Sequence, residues 1–134
     1  MMFVDASAIV AIVAGEPGHR ALLDRLRDGS VRLTSGVAVY EAVLAIARLQ
    51  AVPPEVAREI VDDFLDAAGV TRVPIAEAEA RLAVMAHARY GKGRHPARLN
   101  LGDCFAYACA RVHDVPLLYV GDDFSQTDIR SALG

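Results

Sequence analysis

Lysine is almost absent from this sequence of 134 residues: of its fourteen bases only Lys92 is lysine, and the rest are arginine. Seventeen acids outnumber those bases, for a net charge of −3. That balance excludes a protein that coats nucleic acid nonspecifically, so any nucleic-acid contact has to come from a local basic patch. Cysteine is scarce too. Cys104 and Cys109 lie five apart in a predicted helix and point to different faces, which argues against a mutual disulfide and fits a reducing, cytoplasmic setting. Cys109 and His113 share an i, i+4 spacing, but two ligands on one helix are too few for a structural zinc. No apolar run approaches the roughly 20 residues that span a membrane. The N-terminus carries Asp5 and no basic stretch, so it does not read as a signal peptide. No repeat, linker or low-complexity segment interrupts the chain. What remains is a single domain over residues 1–134, with 54% apolar residues to fill its core.

Strands and helices alternate along that domain. Phe3 to Asp5 reads as a first strand, with a helix over Ala8 to Ala14 that Asp5 or Ser7 can cap. Glu16-Pro17-Gly18 breaks it before a second helix over Arg20 to Arg27. A short strand over Val31 to Thr34 leads to a helix over Val39 to Gln50, whose first turn holds Glu41. Pro53-Pro54 opens a helix over Glu55 to Ala68 with a core-facing stripe of Val56, Ile60 and Phe64. A third strand spans Val70 to Ile75, and an alanine-rich helix Ala76 to Tyr90 presents Leu82, Met85 and Ala86 on one side. After a basic loop, Asn100-Leu101-Gly102-Asp103 starts a helix that runs to about His113. Pro116 to Val120 is a fourth strand, and Ile129 to Leu133 offers a fifth. The alternation implies a three-layer α/β/α domain with a short, mainly parallel sheet of four or five strands.

Four acids sit where such a sheet presents its carboxyl edge: Asp5, Glu41, Asp103 and Asp123. Each alone has an ordinary explanation. Asp5, Glu41 and Asp103 suit helix N-termini, and Asp122 and Asp123 suit a turn. Together they carry more weight. Asp5 lies among apolar residues, where an unpaired carboxylate is costly, and parallel strands deliver all their ends to one edge. Converging carboxylates repel unless a cation neutralises them. A hard divalent ion does so, Mg²⁺ first and Mn²⁺ as the alternative, and there it can activate water and clamp a phosphodiester.

Asp5 with Ser7, Glu41 in a helix, Asn100-Leu101-Gly102-Asp103-Cys104 and Gly121-Asp122-Asp123-Phe124-Ser125-Gln126-Thr127-Asp128 resemble the four signature regions of PIN domains. More narrowly they resemble the VapC toxins of bacterial toxin–antitoxin pairs, in order and across the whole chain. The resemblance implies a Mg²⁺-dependent endoribonuclease that cuts cellular RNA and so inhibits translation and growth. It also implies neutralisation by a VapB-type antitoxin, a homodimer, and a heterotetramer or larger assembly with the antitoxin. Carried over by position, Asp5, Glu41, Asp103 and Asp123 form the acidic quartet, with Asp5 and Asp103 the most direct metal ligands. Ser7 and Asn100 support the site, Asp122 competes with Asp123 to face it, and Asp128 holds the turn.

From Arg81 to Asn100 there are five bases and no acid. The ordinary reading is a solvated loop. The functional one is a phosphate-contacting rim formed by Lys92, Arg94 and Arg98. Two other readings of the whole chain compete. A catalytically inactive PIN-like binding domain is disfavoured by the presence of all four acids. A phosphotransfer α/β domain is disfavoured because the only lysine is in a loop and Ser7 stands where such phosphatases carry a second acid.

Overall fold

The computed structural model describes residues 1–134. Its elements run β1 (Met2–Val4), α1 (Ala6–Ala14), α2 (His19–Asp28), β2 (Arg32–Ser35), α3 (Gly36–Gln50), α4 (Pro54–Ala67), β3 (Thr71–Val73), α5 (Glu77–Tyr90), α6 (Leu101–Val112) and β4 (Leu117–Leu118), then a 3₁₀ turn over Phe124–Gln126. The four strands form one sheet in the order β3-β2-β1-β4. Every pairing is parallel, with Phe3 opposite both Leu33 and Leu117. The chain leaves β1 toward β2 and β3, then returns to place β4 on the other side of β1. That reversal makes the β1/β4 carboxyl edge the switch point, where α/β sheets open a crevice for ligands.

The two-residue period of β1 divides the interior. Met2 and Val4 join one apolar cluster with α1, α2, α3 and α4, while Phe3 joins the other with α5 and α6. Leu118 and Leu117 repeat the division on β4. Helices thus cover both faces of a sheet whose central strand is fully buried, which gives the α/β/α architecture. No single helix is long and apolar enough to cross a membrane.

Three expectations shift. The core stripe of α4 is Ala57, Val61 and Leu65, while Val56 is exposed and Ile60 and Phe64 are half-buried. Two apolar stripes lie side by side on this helix, about 100° apart, and the small Ala57 lets its own stripe approach α1 and α3 closely. On α5 the buried side is Ala83, Ala86 and Tyr90, and Met85 faces solvent. Finally, Ile129 to Leu133 does not build a fifth strand. It makes a single bridge, with Leu117 N–H donating to Arg130 O and Ala132 N–H to Leu117 O.

Candidate active site

Asp5 is the first residue beyond β1 and the N-cap of α1. Its backbone N–H donates to Leu118 O at 3.0 Å, which ties it to β4. The residue is only 4% exposed. Oδ2 accepts from the Ser7 N–H at 3.1 Å and the Ser7 hydroxyl at 2.6 Å. The same hydroxyl accepts from Val120 N–H at 3.0 Å, just past β4. Ser7 therefore links the ends of the two strands at the switch point and fixes one Asp5 oxygen. Burial raises the Asp5 pKa, the Ser7 bonds oppose the rise, and the charge of Asp123 adds to it.

Glu41 comes from α3. Ser35 caps that helix, its Oγ accepting from Ala38 N–H, so the helix begins three residues earlier than its apolar pattern suggests. Glu41 consequently lies in the second turn, not the first, and neither capping nor the macrodipole accounts for an acid there. Burial first, then the charges of Asp5 and Asp103, push its carboxyl to about 7.

Asp103 comes from α6. Asn100 caps this helix in a reciprocal box: Asp103 N–H donates to Asn100 Oδ1 at 2.9 Å, and Asn100 N–H donates to Asp103 Oδ2 at 3.1 Å. Both readings of Asp103 thus apply to one side chain, since it caps and also faces the other acids. Burial, then the charges of Asp5 and Asp123, push it to about 6 despite the Asn100 bond. Of the two turn acids, Asp123 is the one whose charge reaches Asp5 and Asp103. Asp122 lies in an exposed turn that Ser125 Oγ closes by donating to its carbonyl at 2.7 Å. Asp128 accepts from the Tyr107 hydroxyl at 2.6 Å and from Arg111 at 3.2 Å, anchoring the segment behind the turn.

Asp5, Glu41 and Asp103 open on a cleft of about 410 Å³ lined also by Ser7, Glu16 and Val120, among others, with no Lys or Arg in its wall, while Asp123 is exposed and outside its lining. Glu16, which nothing in the sequence pattern marks as a site residue, lines the cleft too. The left-handed Gly15 at the end of α1 turns it back toward the cleft. As placed, no three acids stand at common ligand distance. Ser7 and Asn100 each hold one carboxylate oxygen. The donors nevertheless suit a hard divalent ion: they are carboxylates, and Glu41 makes no hydrogen bond to protein. Without a cation the cluster can shed charge only by taking up protons.

The five bases of the loop region divide. Arg81 pairs with Glu77, and Arg89 lies over the Tyr90 ring. Tyr90 itself is buried and packs against His95 and Tyr107. Lys92, Arg94 and Arg98 are exposed and make no ion pair. Arg98 stands two residues before the cap of α6. Cys104 and Cys109 are buried thiols that form no disulfide.

The PIN-domain family model matches residues 2–130. A VapC ribonuclease of Rhizobium meliloti is 45% identical, across 96% of this chain and 99% of its own length. Ribonuclease VapC42 of Mycobacterium tuberculosis is 44% identical across 98% of each chain. Among solved structures, Mycobacterium tuberculosis VapC20, described as a sarcin–ricin loop cleaving toxin, superposes with a TM-score of 0.76 over 96% of each chain at 17% identity, a likeness of fold. With Asp5, Glu41 and Asp103 delivered to one cleft at the switch point and the charge of Asp123 reaching two of them, these matches establish that the chain belongs to the PIN-domain family and, within it, to the VapC ribonucleases.

Proposed function

We propose that this protein is the endoribonuclease toxin of a VapBC-type pair, cleaving RNA with Mg²⁺ and held inactive by a VapB-type antitoxin. The observation that carries the reading is the cleft itself. Asp5, Glu41 and Asp103 come from three different elements, burial raises the pKa of each and the charge of Asp5 raises the other two further, and no basic side chain lines their cleft. Burying like charges together is unfavourable for the fold, and a site for a divalent cation is the use that offsets it.

Asp5 and Asp103 would hold the ion directly, with Glu41 and Asp123 beside them. The ion would supply Lewis acidity at a phosphate oxygen and make a nearby water more acidic. The protein's own groups do the rest. Ser7 keeps Asp5 aimed by placing its hydroxyl between the carboxylate and Val120 N–H. Asn100 does the same for Asp103 through the capping box. The Glu41 carboxylate, bonded to no protein donor, is free to accept a proton in the cleft. Lys92, Arg94 and Arg98, unpaired beside the start of α6, would bring the phosphate backbone to an otherwise acidic site.

Two surfaces support the proposed partners. Ile12, Leu23, Leu26 and Phe64 line a largely apolar groove of about 450 Å³ among α1, α2 and α4, suited to a segment of the antitoxin. Tyr40 on α3 and Val84 on α5, 64% and 71% exposed, suit a two-fold homodimer built on those helices. The direct test is cleavage of cellular RNA by purified protein, with Mg²⁺, with chelator, and with Asp103→Asn. No Mg²⁺-dependent cleavage by the wild type would leave the inactive binding domain as the better reading.

A further inference from the structure

Gly102 lies between the α6 cap and Asp103, buried at the second position of the helix. Glycine there gives up as much as ~1 kcal/mol of helix propensity relative to alanine. Its φ is not positive, so no special dihedral calls for it. The space beside it does. A Cβ built on Gly102 would meet both carboxylate oxygens and Cδ of Glu41, far inside contact distance. The missing side chain is the seat in which the Glu41 carboxylate rests against α6.

We propose that Gly102 is a positioning residue for Glu41, the position where α6 admits the Glu41 carboxylate to the cluster with Asp5 and Asp103. This rests on the ribonuclease reading for its consequence in catalysis, but not for the contact. The atoms a methyl group would strike are the far end of a flexible side chain, not backbone. Gly102→Ala should therefore leave the fold standing and turn Glu41 out of the cleft. Any side chain at this position would make the protein behave as though Glu41 were missing, although Glu41 is present.

The experiment is a double-mutant cycle over Gly102→Ala and Glu41→Gln, read by Mn²⁺ affinity from electron paramagnetic resonance titration, by kcat and KM for RNA cleavage, and by thermal melting of the metal-free protein. Gly102→Ala should weaken Mn²⁺ binding and lower kcat by about 10- to 100-fold, the range for groups that aim a metal ligand. KM should change little, and the melting temperature of the metal-free protein should not fall. In the Glu41→Gln background the same substitution should cost less than about threefold, because the two act as a unit. A Glu41→Asp background, whose shorter side chain stops short of the seat, should likewise tolerate Gly102→Ala. Wild-type Mn²⁺ affinity and kcat in folded Gly102→Ala would overturn the proposal, as would an equal loss in all three backgrounds. If Gly102→Ala alone does not fold, recovery of folding on adding Glu41→Ala would support the contact, and failure to recover would refute it. A wild-type protein that cleaves no RNA would defeat the ribonuclease reading instead, while the cycle in Mn²⁺ affinity would still judge the contact.

Discussion

Replacing Asp103 by Asn changes one charge and almost no volume. Asn can keep the capping box, because its Oδ1 can accept from Asn100 N–H and its backbone N–H can still donate to Asn100 Oδ1. The change loses the first-turn charge, worth about 0.3–1 kcal/mol. Against that stand the burial of a charge, first, and the repulsion from Asp5 and Asp123, both of which it relieves. Its surroundings push the Asp103 carboxyl up to about 6 where 3.8 is ordinary, which corresponds to a native-state cost of up to ~3 kcal/mol at neutral pH. Solvent in the open cleft screens this to ~1–2 kcal/mol. The metal-free variant should thus be no less stable than the wild type at pH 8, and up to ~1 kcal/mol more stable, a rise of about 3–5 °C in melting temperature. That gain should vanish below about pH 4, where Asp103 is protonated in the wild type and repels nothing. Millimolar Mg²⁺ should raise the melting temperature of the wild type and leave the variant unmoved, since a ligand that binds only the native state stabilises it by mass action. Cleavage of RNA should fall at least about a hundredfold, or ~2.7 kcal/mol of transition-state stabilisation. Calorimetry with and without Mg²⁺ and a cleavage time course measure all of this. A well-folded Asp103→Asn that cleaves RNA at the wild-type rate would refute the site assignment, and Mg²⁺ stabilising both proteins equally would refute Asp103 as a ligand.

Asp5, Glu41 and Asp103 all hold protons more tightly in the native state than in the unfolded chain. Unfolding between about pH 4 and 7 therefore releases protons, and stability falls as pH rises through that window. Metal-free protein should melt higher at pH 5.5 than at pH 8, and a flat profile between them would show that the acids are less buried and less crowded than described. Ser7→Ala removes the link between Asp5 and Val120 N–H and should cost about 1–3 kcal/mol in urea unfolding, with weaker Mn²⁺ binding; an unchanged midpoint would count against the bridge. Arg94→Ala with Arg98→Ala should lower the salt dependence of RNA binding by about one for each lost phosphate contact, and an identical slope would return both to solvated surface. Leu23→Glu in the groove among α1, α2 and α4 should abolish neutralisation by the co-expressed antitoxin while RNA cleavage persists; retained neutralisation would place the partner elsewhere.

Much of the site is legible in sequence because its supports are local. Asp5 and Ser7 are two residues apart, Asn100 and Asp103 three, and both pairs make their hydrogen bonds within a single turn of backbone. Short-range geometry of that kind follows from residue type and spacing. The layers are legible too, since Met2, Phe3 and Val4 must face opposite sides of any sheet they join. What the sequence leaves open depends on contacts between distant segments. Val56-Ile60-Phe64 and Ala57-Val61-Leu65 are equally good helical stripes, and only packing against α1 and α3 selects the second. Asp122 and Asp123 are adjacent and chemically alike, and the 3₁₀ turn after β4 decides which charge reaches Asp5. Glu41 is the clearest case. Its apolar surroundings suggest a first-turn acid, an ordinary feature of helices, until Ser35 moves the helix start and removes that explanation. Its carboxylate then rests on Gly102, sixty-one positions away along the chain. No spacing rule relates those two residues. Their relation exists only because α3 and α6, from opposite layers, meet at the end of the sheet, where β1 hands the chain to one side and β4 returns on the other.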